Sequence, residues 1–234
     1  SLTDSATLHN GVKMPWFGLG VWRTQEGQET LDAVSCALEH GYRHIDTASI
    51  YGNEESVGKA LKQSNVPRNE VFVTTKVWNS DQGFDSTMQA FDASVNRLGV
   101  DVIDLYLVHW PVKGKFQETW RALEELYDLG QVRAIGVSNF LVHHLEDLMA
   151  TAKIVPMVNQ VEFHPRLQQP ELQAFCKKHN IQLEAWAPIM KGRANDIPEL
   201  QAIAQRYGKT PVQVTLRWEQ IGPPRAHCEQ CGGL

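Results

Sequence analysis

What most constrains this chain is an alternation that repeats seven times. Short runs rich in β-branched and aromatic residues fall at 16–21, 44–48, 71–77, 103–109, 134–138, 157–162 and 182–187, interleaved with amphipathic patterns at 28–40, 54–63, 86–98, 118–129, 142–150, 170–179 and 198–207. Strands that alternate with helices build a parallel sheet, because each crossover helix covers a face of it. The choice then lies between an open doubly wound sheet and a closed barrel. A dinucleotide-binding open sheet usually opens its first helix with G-x-G-x-x-G. Here Gly18 and Gly20 follow a strand, but the continuation VWRTQEG has neither the third glycine nor a helix start. The uniform spacing favours a single α/β domain, a (β/α)8 barrel that needs an eighth strand to close. Ahead of it, Asn10-Gly11 lies between two short alternating runs and predicts an N-terminal β-hairpin, with positive φ at both central residues.

Composition narrows the function. The 22 basic and 27 acidic side chains give a net charge of −5, which excludes the basic footprint of a nucleic-acid partner. An apolar share of 42% with 21% charged residues is that of a folding chain. No run approaches the roughly 20 apolar residues that span a bilayer, and SLTDSATLHNG lacks the layout of a signal peptide. The expectation is a cytoplasmic monomer with no membrane partner. Four cysteines are too few for a disulfide scaffold, and Cys36 and Cys176 are expected to be buried as small hydrophobes in helices.

Active sites of barrels lie at the C-terminal ends of the strands. Asp46 ends the HID run, Tyr51 follows in the next loop, Lys76 ends VFVTTK and His109 ends DLYLVH, so all four fall on one rim. Each alone has a structural explanation; together they form a chemical set. A tyrosine is a poor acid near neutral pH until a cation favours its phenolate. Lys76 can be that cation, Asp46 can hold the ammonium, and His109 can orient a carbonyl oxygen beside the tyrosine hydroxyl. That is a proton-donor site for a polarised C=O, the partner of hydride delivery. Trp22, Trp78 and Trp110 also fall at strand ends and would wall an apolar substrate pocket.

The stretches FGLGVW, GYRHIDTASIYGNEESVGKAL, VFVTTKVWN, DLYLVHWP, GQVRAIGVSNF, PMVNQVEFHP and LEAWAPIMKG resemble the aldo-keto reductase superfamily. Among its members the chain is most similar to bacterial reductases of glyoxal, methylglyoxal and keto-sugars. The likeness runs from about Leu8 to Glu219. It implies a TIM barrel that reduces small-molecule carbonyls with NADPH and without a metal, and a catalytic tetrad of Asp46, Tyr51, Lys76 and His109 with Tyr51 as general acid. It also implies that Ser138, Asn139 and Gln160 bind the nicotinamide carboxamide and that Trp186 stacks on the ring. Ala187 stands where the family more often has serine, leaving backbone contacts near Ile189 for the pyrophosphate.

The tail departs from this likeness. In the family, the helix ending in LRWE leads to an eighth strand and a Lys-Ser, Arg, Asn motif that grips the adenosine 2′-phosphate. Here Glu219 is followed by QIGPPRAHCEQCGGL. The expectation is an incomplete barrel domain over 1–219, truncated after the seventh βα unit, with two open sheet edges, and a non-family tail over 220–234. His227, Cys228 and Cys231 fall short of the four ligands of a structural zinc site. With permitted codons, the tail read one base later spells Lys-Ser-Val-His-Pro-Glu-Arg-Ile-Ala-Ser-Asn-Ala-Glu-Asp-Phe, which restores the motif and predicts an out-of-frame deletion after Glu219. The alternative to an active reductase is an impaired barrel fragment that binds weakly.

Overall fold

The computed structural model describes residues 2, 4–221 and 226–230; for 220–221 and 226–230 it describes the backbone only. The hairpin pairs β1 (Ser5–Thr7) antiparallel with β2 (Lys13–Pro15), Ala6 opposite Met14. Its turn differs from the two-residue form expected. Gly11 has φ 88° while Asn10 stays outside the left-handed region. Asn10 is instead a tether: its Oδ1 accepts from Val12 N at 3.1 Å, and its Nδ2 donates to the Arg133 carbonyl at 3.0 Å.

The seven expected strands are β3 (Phe17–Gly20), β4 (His44–Asp46), β5 (Phe72–Val77), β6 (Ile103–Val108), β7 (Val132–Ser138), β8 (Val158–Glu162) and β9 (Gln182–Trp186), each parallel to the next. Every residue of β5 and β6 is buried, as befits strands covered on both faces. Seven helices alternate with them: α1 (Gln28–Glu39), α2 (Glu54–Gln63), α3 (Phe84–Leu98), α4 (Phe116–Asp128), α5 (Val142–Met149), α6 (Pro170–Lys178) and α7 (Pro198–Tyr207), followed by α8 (Pro211–Ile221). At Gly58 on α2 a Cβ would come within 2.2 Å of the Leu98 carbonyl oxygen, so the approach of α2 to α3 requires glycine there.

The βα units stop at seven, as expected, but the two open edges are not found. The backbone of β10 (Ala226–Gln230), from the tail, runs parallel between β9 and β3, pairing Ala226 with Glu184 and Cys228 with both Trp186 and Gly18. The ring is closed. Ladder hydrogen bonds use main-chain groups, so a strand can be recruited without the family's side chains. Arg225 and Cys231, and the side chains of His227 and Cys228, lie outside the described residues.

Of the two helical cysteines, Cys176 is buried but Cys36 is exposed. The inward stripe of α1 is Thr30, Val34, Ala37 and Leu38; Cys36 falls beside it, 3.6 Å from His40 Nδ1.

Candidate active site

A cavity of about 480 Å³ opens at the C-terminal end of the barrel, within the size range of small-molecule sites. Strand β4 ends at Asp46 and β5 carries Lys76 one residue before its end. Lys76 is fully buried, and its ammonium donates to Asp46 Oδ1 at 2.6 Å and to the Thr47 carbonyl at 2.9 Å. The other carboxylate oxygen, Oδ2, accepts from Gln160 Nε2 at 2.8 Å. Tyr51 closes a 3-10 turn, Ser49–Tyr51, pinned where Ser49 Oγ donates to the Lys76 carbonyl at 3.0 Å. The turn sets the phenol ring over the ammonium, with Lys76 Nζ 5.3 Å from the ring centroid.

His109 stands against both Tyr51 and Trp78, edge to face, with centroids 5.8 and 5.1 Å apart. Burial, reinforced by the charge of Lys76, lowers its pKa to about 3, so the imidazole is neutral near pH 7. Its buried Nδ1 has no hydrogen-bond partner among the described residues. A neutral ring keeps one N–H to offer an oxygen.

The far wall is a chain of amides. Asn139, with φ 64°, sends Nδ2 to the His109 carbonyl and to Ser138 Oγ, both at 3.0 Å, while its Oδ1 accepts from Trp186 Nε1 at 2.9 Å. Its backbone N–H reaches the Gln160 carbonyl at 2.8 Å, and Ser138 Oγ donates to the same oxygen at 2.9 Å. The Trp186 ring is thereby held in one orientation. A hydroxyl and two side-chain amides beside an indole offer both donors and acceptors, a chemistry that fits a nicotinamide carboxamide.

The structure thus brings Asp46, Tyr51, His109, Ser138, Asn139, Gln160, Trp186, Trp22, Trp78 and Trp110 to one cavity, with Lys76 directly behind it. Ala187 and Ile189 do not line it; they lie in the bend from Trp186 to Lys191, which does. Sequence reasoning missed Arg23, Ile50 and Lys191 on the lining. The Arg23 guanidinium lies 4.3 Å and the Lys191 ammonium 5.2 Å from the Trp22 ring, so two cations flank one indole at the cavity. The signal for Arg23 was its place right after a strand-end tryptophan. Left-handed φ at Arg23, Asn139, Ala187, Met190 and Lys191 gathers on this rim, as strained backbone tends to do at functional sites.

Deeper in the barrel sit two more ionisable groups. Burial lowers the pKa of His44 to about 4, and burial followed by the charge of Asp46 pushes that of Glu184 up to about 8. Among the described residues no helix is long and apolar enough to cross a membrane.

Comparison with known proteins gives one answer. The model of the "Aldo/keto reductase family" matches residues 17–221. A glyoxal reductase of Bacillus subtilis (strain 168) is 57% identical over 219 residues, covering 94% of this chain and 79% of its own. Methylglyoxal reductase DkgA of Escherichia coli (strain K12) is 44% identical, covering 90% of this chain and 77% of its own. The crystal structure of a mutant of Gox0644 in complex with NADPH superposes with a TM-score of 0.90 at 42% identity, covering 98% of this chain and 83% of that one.

Proposed function

The chain belongs to the aldo/keto reductase family, and on that premise we propose that it is an NADPH-dependent oxidoreductase that reduces small aldehydes and ketones to alcohols. Glyoxal, methylglyoxal and keto-sugars are the substrates this reading puts first, with the cytoplasm as its place and a monomer as its form. The observation that carries it is the buried Lys76–Asp46 pair set beneath Tyr51, with neutral His109 facing the same cavity.

Bound NADPH supplies the hydride. Ser138, Asn139 and Gln160 would hold its carboxamide, Trp186 would support the nicotinamide, and Arg23 and Lys191 would meet phosphate charge at the mouth. The substrate oxygen then sits between Tyr51 and His109. His109 donates its N–H and fixes the oxygen; Tyr51 gives up its proton as charge develops there. The ammonium of Lys76 stabilises the phenolate that remains, and Asp46 keeps that ammonium charged and in place. Trp22, Trp78, Trp110 and Ile50 give the substrate an apolar flank. The match over 17–221 and the assembled tetrad support this reading over that of an impaired fragment.

The experiment is Tyr51→Phe. Reduction of methylglyoxal should fall at least a thousandfold while NADPH still quenches tryptophan fluorescence with saturation. Turnover at the wild-type rate would overturn the assignment of Tyr51, and absence of saturable quenching in the wild type would favour the fragment.

A further inference from the structure

Beneath the Lys76–Asp46 pair, the barrel holds two ionisable side chains that the proposed reaction leaves idle. His44 on β4 and Glu184 on β9 are both fully buried. His44 Nε2 lies 2.9 Å from Thr74 Oγ1 and 4.0 Å from Glu184 Oε1. Among the described residues neither oxygen of Glu184, nor His44 Nδ1, has a hydrogen bond of good geometry; the nearest polar groups are the Gln160 amide and the Pro15 backbone. Space for the imidazole comes from Gly18, where a Cβ would stand 2.7 Å from His44 Nδ1. A ring nitrogen of His44 and one carboxylate oxygen each of Asp46 and Glu184 all lie within 4.8 Å of one another.

Two carboxyl groups therefore face one ammonium, and that ammonium is bonded to Asp46. The Gln160 amide, opposite Glu184 in the register, donates at 2.8 Å to Asp46 and reaches Glu184 only weakly. A carboxylate at Glu184 would be dry and close to a like charge, and these outweigh the Gln160 amide and the charge of Lys76, so the carboxyl group keeps its proton well above the usual carboxylate range. Loss of that proton would add a negative charge next to the Lys76 ammonium behind Tyr51.

We propose that Glu184 is a positioning residue for the proton transfer: as a neutral acid at the barrel floor it adds no second negative charge to the Lys76–Asp46 pair, and so preserves the field that Lys76 exerts on Tyr51. The proposal rests on the reading of Tyr51 as proton donor. Around Glu184, β4 contributes His44 and Asp46, β5 contributes Lys76 and β8 contributes the uncharged Gln160, while Gly18 of β3 and Asp104 of β6 act on His44. Of β10 only the backbone is described. When Glu184 ionises at alkaline pH, Tyr51 becomes a weaker acid and reduction slows.

The test compares wild type with Glu184→Gln in kcat for methylglyoxal at saturating NADPH from acidic to alkaline pH, alongside infrared spectra of each protein alone. In the wild type the rate should decline with a midpoint near pH 8, and a protonated-carboxyl stretching band should vanish with the same midpoint. In Glu184→Gln that band should be missing and the decline should move upward by about one pH unit or more. An unchanged decline in the variant, or no protonated-carboxyl band in the wild type at pH 6, overturns the proposal. If the variant does not fold, the wild type decides: coincident midpoints of band and rate support the role, separated midpoints refute it. A wild type without turnover at any pH overturns the reductase reading itself, and the band distinguishes that failure from one of Glu184.

Discussion

Lys76 donates to Asp46 at 2.6 Å in a space where the lysine is fully buried and the aspartate nearly so. A pair taken out of water in this way costs most when only one member is removed, because the survivor is left charged and dry. Lys76→Met should destabilise the fold by about 3–5 kcal/mol and abolish turnover. Combined with Asp46→Asn it should recover most of the stability and none of the activity. Urea denaturation with a methylglyoxal assay on all three proteins checks both halves.

Asn139 combines a left-handed backbone with side-chain bonds to three partners. Asn139→Gly relieves strain but loses the bonds; Asn139→Ala loses the bonds and keeps the strain. Both variants should raise the KM for NADPH severalfold by freeing Trp186. The alanine form should be less stable than the glycine form by about 1 kcal/mol. Thermal melts and NADPH titrations of the pair separate the two contributions.

Stability should peak near pH 6.5. His44 and His109 have folded pKa values lowered from 6.5 to about 4 and about 3, so the unfolded chain takes up protons first and stability falls as pH drops below 6.5. Glu184 is raised from 4.5 to about 8, so the folded state holds the extra proton and stability falls as pH climbs between those values. Each group contributes a slope of about 1.4 kcal/mol per pH unit. Between 4.5 and 6.5 the two histidines outweigh the glutamate; above 6.5 the glutamate acts alone. Melting temperatures across pH 4 to 9 should trace this peak, and Glu184→Gln should remove its alkaline side.

The tail offers a prediction at the level of the gene. We read residues 220–234 as translated out of frame, so the nucleotides should encode a Lys-Ser, Arg, Asn sequence when read one base later. Sequencing across codons 215–234 settles this, and any other codon set discards the idea.

Much of the barrel and its rim was legible because both depend on side-chain pattern. The seven strands are short runs centred on apolar and β-branched residues, and Asp46, Tyr51, Lys76 and His109 interrupt or follow those runs at their C-terminal ends. What escaped depends on other physics. The eighth strand is placed by main-chain pairing, and AHCEQ carries no apolar alternation that would announce it. Arg23 and Lys191 reach the cavity through left-handed backbone that non-glycine residues rarely adopt, so no propensity points to it. Glu184 shares the alternation of Trp186 two residues on, which was a usable signal for an inward-facing acid. Cys36 was misplaced because a helical pattern fixes a stripe only to within one position.

The strand that completes the ring has a consequence for how this architecture can be assembled. β10 touches β9 and β3 through ladder bonds, and it follows from its place between them that it is the one stave of the barrel supplied from outside the family-like segment. A stave held by main-chain groups is exchangeable. An extended peptide added in trans should be able to occupy the slot in a protein that lacks residues 222–234, making the final position of the ring a point of complementation and the cavity rim a module independent of which polypeptide closes it.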